Sequence, residues 1–273
     1  MRIVAFSRKG TVQYGVRNGD QIQVYPSATS AVDLAVNAAV HPAGDLIAQS
    51  EVTLLAPVQR PGKLICIGLN YRAHALEGGN PIPDYPAVFM RCATSIVGPG
   101  APLIYPEIST QLDYEAELAV VIGKTATNVG ANALDHVAGY SCFNDGSVRD
   151  YQRKSTQWTM GKNFDQSGSF GPELVTPDEL PAGAAGLRIV ARLNGEIMQD
   201  SNTGDMIFDV ATLIQTLSAV MTLEPGDVIA TGTPSGVGYA RKPPVYMVPG
   251  DVSEIDIEHI GVLTNPVARP GAN

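Results

Sequence analysis

The sequence predicts an α+β fold that is mostly β, with a small N-terminal α/β domain over residues 1–60 and a larger β-rich domain over residues 61–273. Three observations carry this expectation. Glycine and proline, 28 and 20 of 273 residues, make up about 18% of the chain against an average near 12%, so the chain turns often. Short apolar runs recur between polar clusters, at strand length more often than helix length. The segment Ala56-Pro57-Val58-Gln59-Arg60-Pro61-Gly62 holds two prolines and a glycine, which is linker chemistry and sets the boundary near residue 60.

In chain order, Ile3 to Phe6, Thr11 to Val16 and Gln21 to Tyr25 alternate as short antiparallel strands, with a turn at Asn18-Gly19-Asp20. Ser30 to Val40 has helical periodicity. Beyond the linker, Lys63 to Leu69 suits a buried strand. Asn70 to Pro86 is polar and rich in glycine and proline, with too little apolar periodicity for a core, and is expected to form a lid. Strands are predicted at Ala87 to Arg91, Leu112 to Ile122, Leu187 to Leu193 and Val252 to His259, and a helix at Phe208 to Met221. Two Pro-Gly-Asp turns, at Pro225 and Pro249, each lead into apolar residues.

A formal net charge of −9 without any basic run argues against nucleic-acid binding, which needs clustered Lys and Arg. Charged residues are 16% of the chain against a typical value of about 25%, which predicts extensive burial, including burial between subunits. No apolar run reaches the roughly 18 residues that span a bilayer, and the first residues lack a signal-peptide core, so a cytoplasmic protein is expected. Cys66, Cys92 and Cys142 are too few and too scattered for a disulfide framework or a zinc site.

The segment Leu112-Asp113-Tyr114-Glu115-Ala116-Glu117-Leu118 is the most informative. As a strand it places Asp113, Glu115 and Glu117 on one face, running into the apolar residues Ala119 and Val121. Carboxylates crowded beside buried ground repel one another, and a hard cation such as Mg²⁺, Mn²⁺ or Ca²⁺ relieves that repulsion. The competing reading is a solvated strand face. Asp145, in the turn-prone Asn144-Asp145-Gly146, can complete an oxygen site, and Arg149 can face a substrate carboxylate; the alternative is an Asx turn with a surface arginine. His74 and Glu77, spaced i, i+3, meet on one helical turn, where the carboxylate orients the imidazole as a general base. Lys162, in Gly161-Lys162-Asn163, either stabilises an enolate or is a surface lysine. The stretch Thr231-Gly232-Thr233-Pro234-Ser235-Gly236 offers a carboxylate a backbone nest. Dinucleotide-binding and serine-hydrolase signatures are absent.

Taken in order, these segments resemble the fumarylacetoacetate hydrolase family from about Arg60 to Pro266. The motifs that carry the resemblance are Gly68-Leu69-Asn70-Tyr71 with His74 and Glu77, Asp113 to Leu118, Asn144-Asp145 with Arg149-Asp150, Gly161-Lys162 with Phe164-Asp165, and Thr231 to Gly238. The resemblance implies a homodimer with a β-rich catalytic fold, and Mg²⁺ or Mn²⁺, with Ca²⁺ as a substitute, held by Glu115, Glu117 and Asp145. It implies a catalytic set of His74 and Glu77 on a lid with Lys162, and a pocket lined by Arg149, Gln152, Gln157 and Thr231. The chain departs from the usual pattern at Gly146, Val148, Asn163 and Gln166-Ser167, which bears on substrate choice. The activity expected is hydrolysis of the C–C bond of an acylpyruvate, a small 2-oxo acid, with His74 activating water. The alternatives are decarboxylation of oxaloacetate, isomerisation or tautomerisation of unsaturated 2-oxo acids, and metal-dependent binding without catalysis.

Overall fold

The computed structural model describes residues 1–271. Near the N-terminus, β1 (Arg2–Arg8), β2 (Thr11–Asn18) and β3 (Gln21–Val24) form a meander, and α1 (Ala31–Asn37) follows with Ser30 as its N-cap, its hydroxyl accepting from Asp33 N–H at 2.9 Å. Two short strands, β4 (Leu46–Ala48) and β5 (Thr53–Leu55), close this part.

The following residues supply β6 (Leu64–Gly68), α2 (Arg72–Glu77), β7 (Ala87–Met90), β8 (Ile96–Val97), β9 (Leu103–Ile104), β10 (Leu112–Asp113) and β11 (Ala116–Ile122). Next come β12 (Val137–Asn144), β13 (Ser147–Val148), α3 (Arg149–Gln152), α4 (Thr159–Lys162) and β14 (Gly168–Val175). The last elements are β15 (Arg188–Leu193), β16 (Glu196–Asn202), α5 (Val210–Ser218), β17 (Val228–Ala230), β18 (Val252–Ile257) and β19 (Gly261–Ala268).

The result is the β-rich α+β fold that the composition predicts. One large sheet runs β4-β3-β2-β1-β14-β12-β11-β17-β6-β7, with β5 on β1 and β8 on β14, and a second runs β16-β15-β18-β19-β9. Strand β11 shows how the sequence builds the core. Leu118, Val120 and Ile122 point into the cluster shared with Ile189, Ile255 and Leu263 of the second sheet and with Leu213 and Ile214 of α5. Ala119 and Val121 point the other way, against Phe143, Phe170 and Leu34 of α1. A strand buried on both faces reads as a continuous apolar run, which is what the sequence shows.

Strands β12, β14, β16 and β19 lie outside the predicted set, and the segment Asn70 to Pro86 departs from expectation as well. Asn70 to Pro86 is not all surface: Asn70, Tyr71, His74 and Ala75 are buried. Asn70 explains why, since its side chain donates to Phe208 O and Thr231 O and accepts from Phe208 N–H. A polar side chain satisfied by backbone groups anchors the start of α2 without apolar periodicity. Strand β14 was hidden by its Gly171-Pro172, yet all eight of its residues are buried.

Candidate active site

The single strand expected from Leu112 to Ile122 is broken at Tyr114-Glu115. Backbone partners change there: Glu115 N–H donates to Asn144 Oδ1 at 3.0 Å and Ala116 N–H to Gln199 Oε1 at 2.9 Å, while β10 pairs with β13. Asp145 N–H donates to Glu115 O at 3.0 Å, which draws the end of β12 against this break. Glu115, Glu117 and Asp145 thereby each bring a carboxylate oxygen within 4.8 Å of the others, and all three are buried. The solvated-face reading of this segment is therefore excluded. Asp113 stands outside the triad. It accepts from Gly238 N–H at 2.8 Å, Tyr239 N–H at 3.0 Å and Arg149 Nε at 2.8 Å.

Three buried cations surround the carboxylates. Lys162 Nζ lies 2.6 Å from Glu115 Oε2 and 2.5 Å from Asp145 Oδ2, Arg91 Nη1 donates to Asp145 Oδ1 at 2.6 Å, and Arg149 Nη2 lies 2.7 Å from Glu115 Oε1. Burial opposes ionisation of Glu115, but Lys162 and Arg149 hold its carboxyl well below the usual range. Burial likewise opposes the Lys162 charge, and Asp145 and Glu115 more than restore it. Glu117 is different. Burial, then the charges of Asp145 and Glu115, push it well above the usual carboxylate range, and its hydrogen-bond donor here is Gly232 N–H at 2.9 Å. A carboxylate so placed lacks a cation of its own, and an all-oxygen donor set of this kind fits a hard divalent ion.

His74 faces this cluster from α2, with Nδ1 3.4 Å from Glu77 Oε2 as the i, i+3 spacing predicts. The Glu77 oxygens also accept from Gly236 N–H, at 3.0 and 3.2 Å. The glycine-rich loop after β17 thus binds carboxylates through its backbone, but they are the protein's own: Glu117 at Gly232, Glu77 at Gly236 and Asp113 at Gly238.

A cavity of about 360 Å³ opens onto these groups. Glu115, Glu117, Asp145, His74, Lys162 and Arg149 line it, and Gln152 joins them, holding Arg149 Nη1 at 3.0 Å. Neither Lys162 nor Arg149 is a surface residue; each is 2% exposed. Arg149 is also not free for a substrate carboxylate, because Asp113, Glu115 and Gln152 surround its guanidinium. Two expected pocket residues lie off the wall. Thr231 turns its hydroxyl to Leu118 O at 3.0 Å, leaving Thr233 to line the cavity, and Gln157 is exposed beside Ser155 while the adjacent Trp158 lines it. In both cases the residue type was a fair candidate, but the local turn sends its neighbour inward.

Sequence reasoning missed Arg91, Phe89, Tyr239 and Arg153. Arg91 carried a faint signal, a charge closing an apolar strand run; Phe89 looked like ordinary core. The single tryptophan of the chain, Trp158, stands on the cavity wall. It packs on Gly68, where an added Cβ would come within 2.1 Å of the indole, and meets Phe89 edge to face at 5.5 Å between centroids.

A β-rich two-sheet fold holding a buried carboxylate triad opposite a His–Glu pair defines a class of protein built around an acidic, cation-ready cavity. Residues 63–268 match the model of the fumarylacetoacetate (FAA) hydrolase C-terminal family, and residues 1–57 match the Rv2993c-like N-terminal family. The chain belongs to the fumarylacetoacetate hydrolase family. It is 47% identical over 225 residues to the mitochondrial oxaloacetate tautomerase fahd2 of Xenopus laevis, covering 81% of this chain and 70% of the relative. Among solved structures, a fumarylacetoacetate hydrolase from Exiguobacterium antarcticum superposes with a TM-score of 0.85 at 37% identity, over 98% of this chain and 99% of that one. A 2-hydroxyhepta-2,4-diene-1,7-dioate isomerase from Mycobacterium marinum gives 0.83 at 35% identity, over 100% of both chains.

Proposed function

We propose that this protein is a divalent-metal-dependent tautomerase that interconverts the keto and enol forms of a small dicarboxylic 2-oxo acid of the oxaloacetate type. The observation that carries this reading is the convergence of the carboxylate triad, Lys162 and the His74–Glu77 pair on one cavity. The relatives support it: one is named for tautomerising oxaloacetate and another for isomerising an unsaturated dicarboxylate. Proton transfer is thereby favoured over hydrolysis of an acylpyruvate.

Glu115, Glu117 and Asp145 would hold Mg²⁺ or Mn²⁺, which when bound supplies a template and Lewis acidity for a 2-oxo carboxylate. The chain's own groups do the rest. In the tautomer whose Nδ1–H donates to the Glu77 carboxylate, His74 presents Nε2 as the basic atom. In the ketone-forming direction His74 Nε2 takes the enol O–H proton and a proton returns from it to C3; in reverse Nε2 takes the proton from C3 and returns one to the oxygen, so the protein ends each turnover in its starting protonation state. The Lys162 ammonium sets a positive potential where the enolate oxygen carries charge. The His74–Glu77 pair is also the arrangement that activates water, so hydrolysis of an acylpyruvate stays as the second reading. The exposed Val88 and Met90 on edge strand β7, with the low charge content, support a homodimer.

The test is a stopped-flow assay of enol-oxaloacetate loss by the Mg²⁺- or Mn²⁺-reconstituted protein, with acetylpyruvate in parallel and products identified by NMR. Accelerated ketonisation without carbon dioxide or acetate release supports tautomerisation. Acetate and pyruvate from acetylpyruvate, with no effect on the oxaloacetate enol, would replace it by the hydrolase reading.

A further inference from the structure

Resting on that reading, we infer that Arg153 determines specificity by receiving the distal carboxylate of the dicarboxylic 2-oxo acid. Asp113, Glu115, Glu117 and Asp145 are buried against Arg91, Arg149 and Lys162, each 5% exposed or less. All three cations are committed: Arg91 to Asp145, Arg149 to Asp113 and Glu115, and Lys162 to Glu115 and Asp145. With a divalent ion counted, this inner shell balances the single charge of a 2-oxo acid head group and no more. A second carboxylate entering the cavity needs its own partner, since an unpaired charge in such a site is costly.

Among the described residues Arg153 is the remaining arginine or lysine on the cavity wall. It is exposed, and among the described residues its guanidinium makes no ion pair; its Cζ lies 4.5 Å from the centroid of the Tyr239 ring. Its position is set by the inner shell. Arg153 caps α3, its N–H donating to Arg149 O at 3.2 Å, and Arg149 lies against the same Tyr239 ring, also at 4.5 Å. Asp113 fixes that ring's backbone through Tyr239 N–H. A guanidinium held against an aromatic ring keeps its N–H edge free for bidentate contact with a carboxylate. Besides the inner shell and His74, the wall is made of apolar Ile67, Leu69, Phe89 and Trp158 with the neutral polar groups of Asn80, Thr233 and Tyr239, and it offers a carboxylate no second guanidinium or ammonium group.

The test compares 2-oxobutyrate with 2-oxoglutarate, stable 2-oxo acids that differ by one terminal carboxylate, in calorimetric titrations of the Mg²⁺-loaded protein. The wild type is expected to bind 2-oxoglutarate at least about tenfold more tightly. Arg153→Gln should erase that preference while leaving 2-oxobutyrate affinity unchanged, and Arg153→Lys should restore part of it. In kinetics with enol-oxaloacetate, Arg153→Gln should raise KM by about tenfold or more with little change in kcat. Equal loss of affinity for both acids in Arg153→Gln, or no wild-type preference, overturns the role of Arg153 alone. Failure of either acid to bind, together with no effect on enol-oxaloacetate, overturns the 2-oxo acid reading itself.

Discussion

At the scale of single residues, the site is governed by how each buried charge finds a partner. Asp113 is the clearest case of a group that acts through others. Its carboxylate accepts from two loop N–H groups and from Arg149, so Asp113→Asn should leave Arg149 short of its counter-charge and destabilise the fold by about 3–5 kcal/mol, read as a fall in the thermal midpoint. His74→Ala should behave differently. It should spare Mn²⁺ binding, measured by calorimetry, and lower turnover by about 10²-fold or more, because the triad does not depend on it. Full retention of activity would exclude His74 as the base. Glu117 predicts a pH signature. Its pKa is raised by burial and by Asp145 and Glu115, so its protonated form stabilises the metal-free fold below the ordinary value of 4.5, and that contribution is lost as pH rises through the raised value. A divalent ion held by the triad would take the proton's place. Added Mg²⁺ should therefore raise the thermal midpoint more at pH 8 than at pH 5, and Glu117→Gln should flatten that difference.

At the scale of elements, the glycine-rich loop after β17 orders the site from one side. Gly236 has φ +101, its N–H binds Glu77, and an added Cβ would come within 2.3 Å of Met198 O. Gly236→Ala should therefore release Glu77 from the loop and lower both turnover and the thermal midpoint, measured against Ser235→Ala as a neighbour. The chemistry of this loop was legible as residue type: a glycine-rich turn that binds carboxylates. Which carboxylates it binds was not, because Glu77, Asp113 and Glu117 arrive from separate elements. The same holds for the break at Tyr114-Glu115. Alternation of acidic and apolar residues pointed to one strand, and only the contacts with Asn144 and Gln199 interrupt it.

At the scale of the whole molecule, the chain on either side of residue 60 shares one sheet. Strand β1 pairs with β14 through Ile3 and Leu174, and the fully buried Glu173 of β14 pairs with Arg2 at 2.6 Å and Arg17 at 2.7 Å. Removing residues 1–60 would strip Glu173 of both partners and expose the edge of β14. A protein starting at Pro61 is expected to aggregate or elute as large assemblies in size-exclusion chromatography. A folded, active truncation would mean that β14 tolerates its bare edge. Among the described residues no helix is long and apolar enough to cross a membrane.

The sequence by itself determined the β-rich class, the residue types of the carboxylate triad, the His74–Glu77 pair and the family resemblance, because period-two alternation, i, i+3 spacing and motif order are local properties of the chain. It also located Lys162 and Arg149 without deciding whether they were buried. The tertiary structure alone decided which charges meet: that Arg91 closes on Asp145, that Arg149 is engaged by Asp113 and Glu115, that Thr231 and Gln157 turn away from the cavity, and that Arg153 is left facing it. The physical reason is that pairing of buried charge depends on distances of a few ångströms between residues far apart in sequence, and those distances exist only once both sheets are packed.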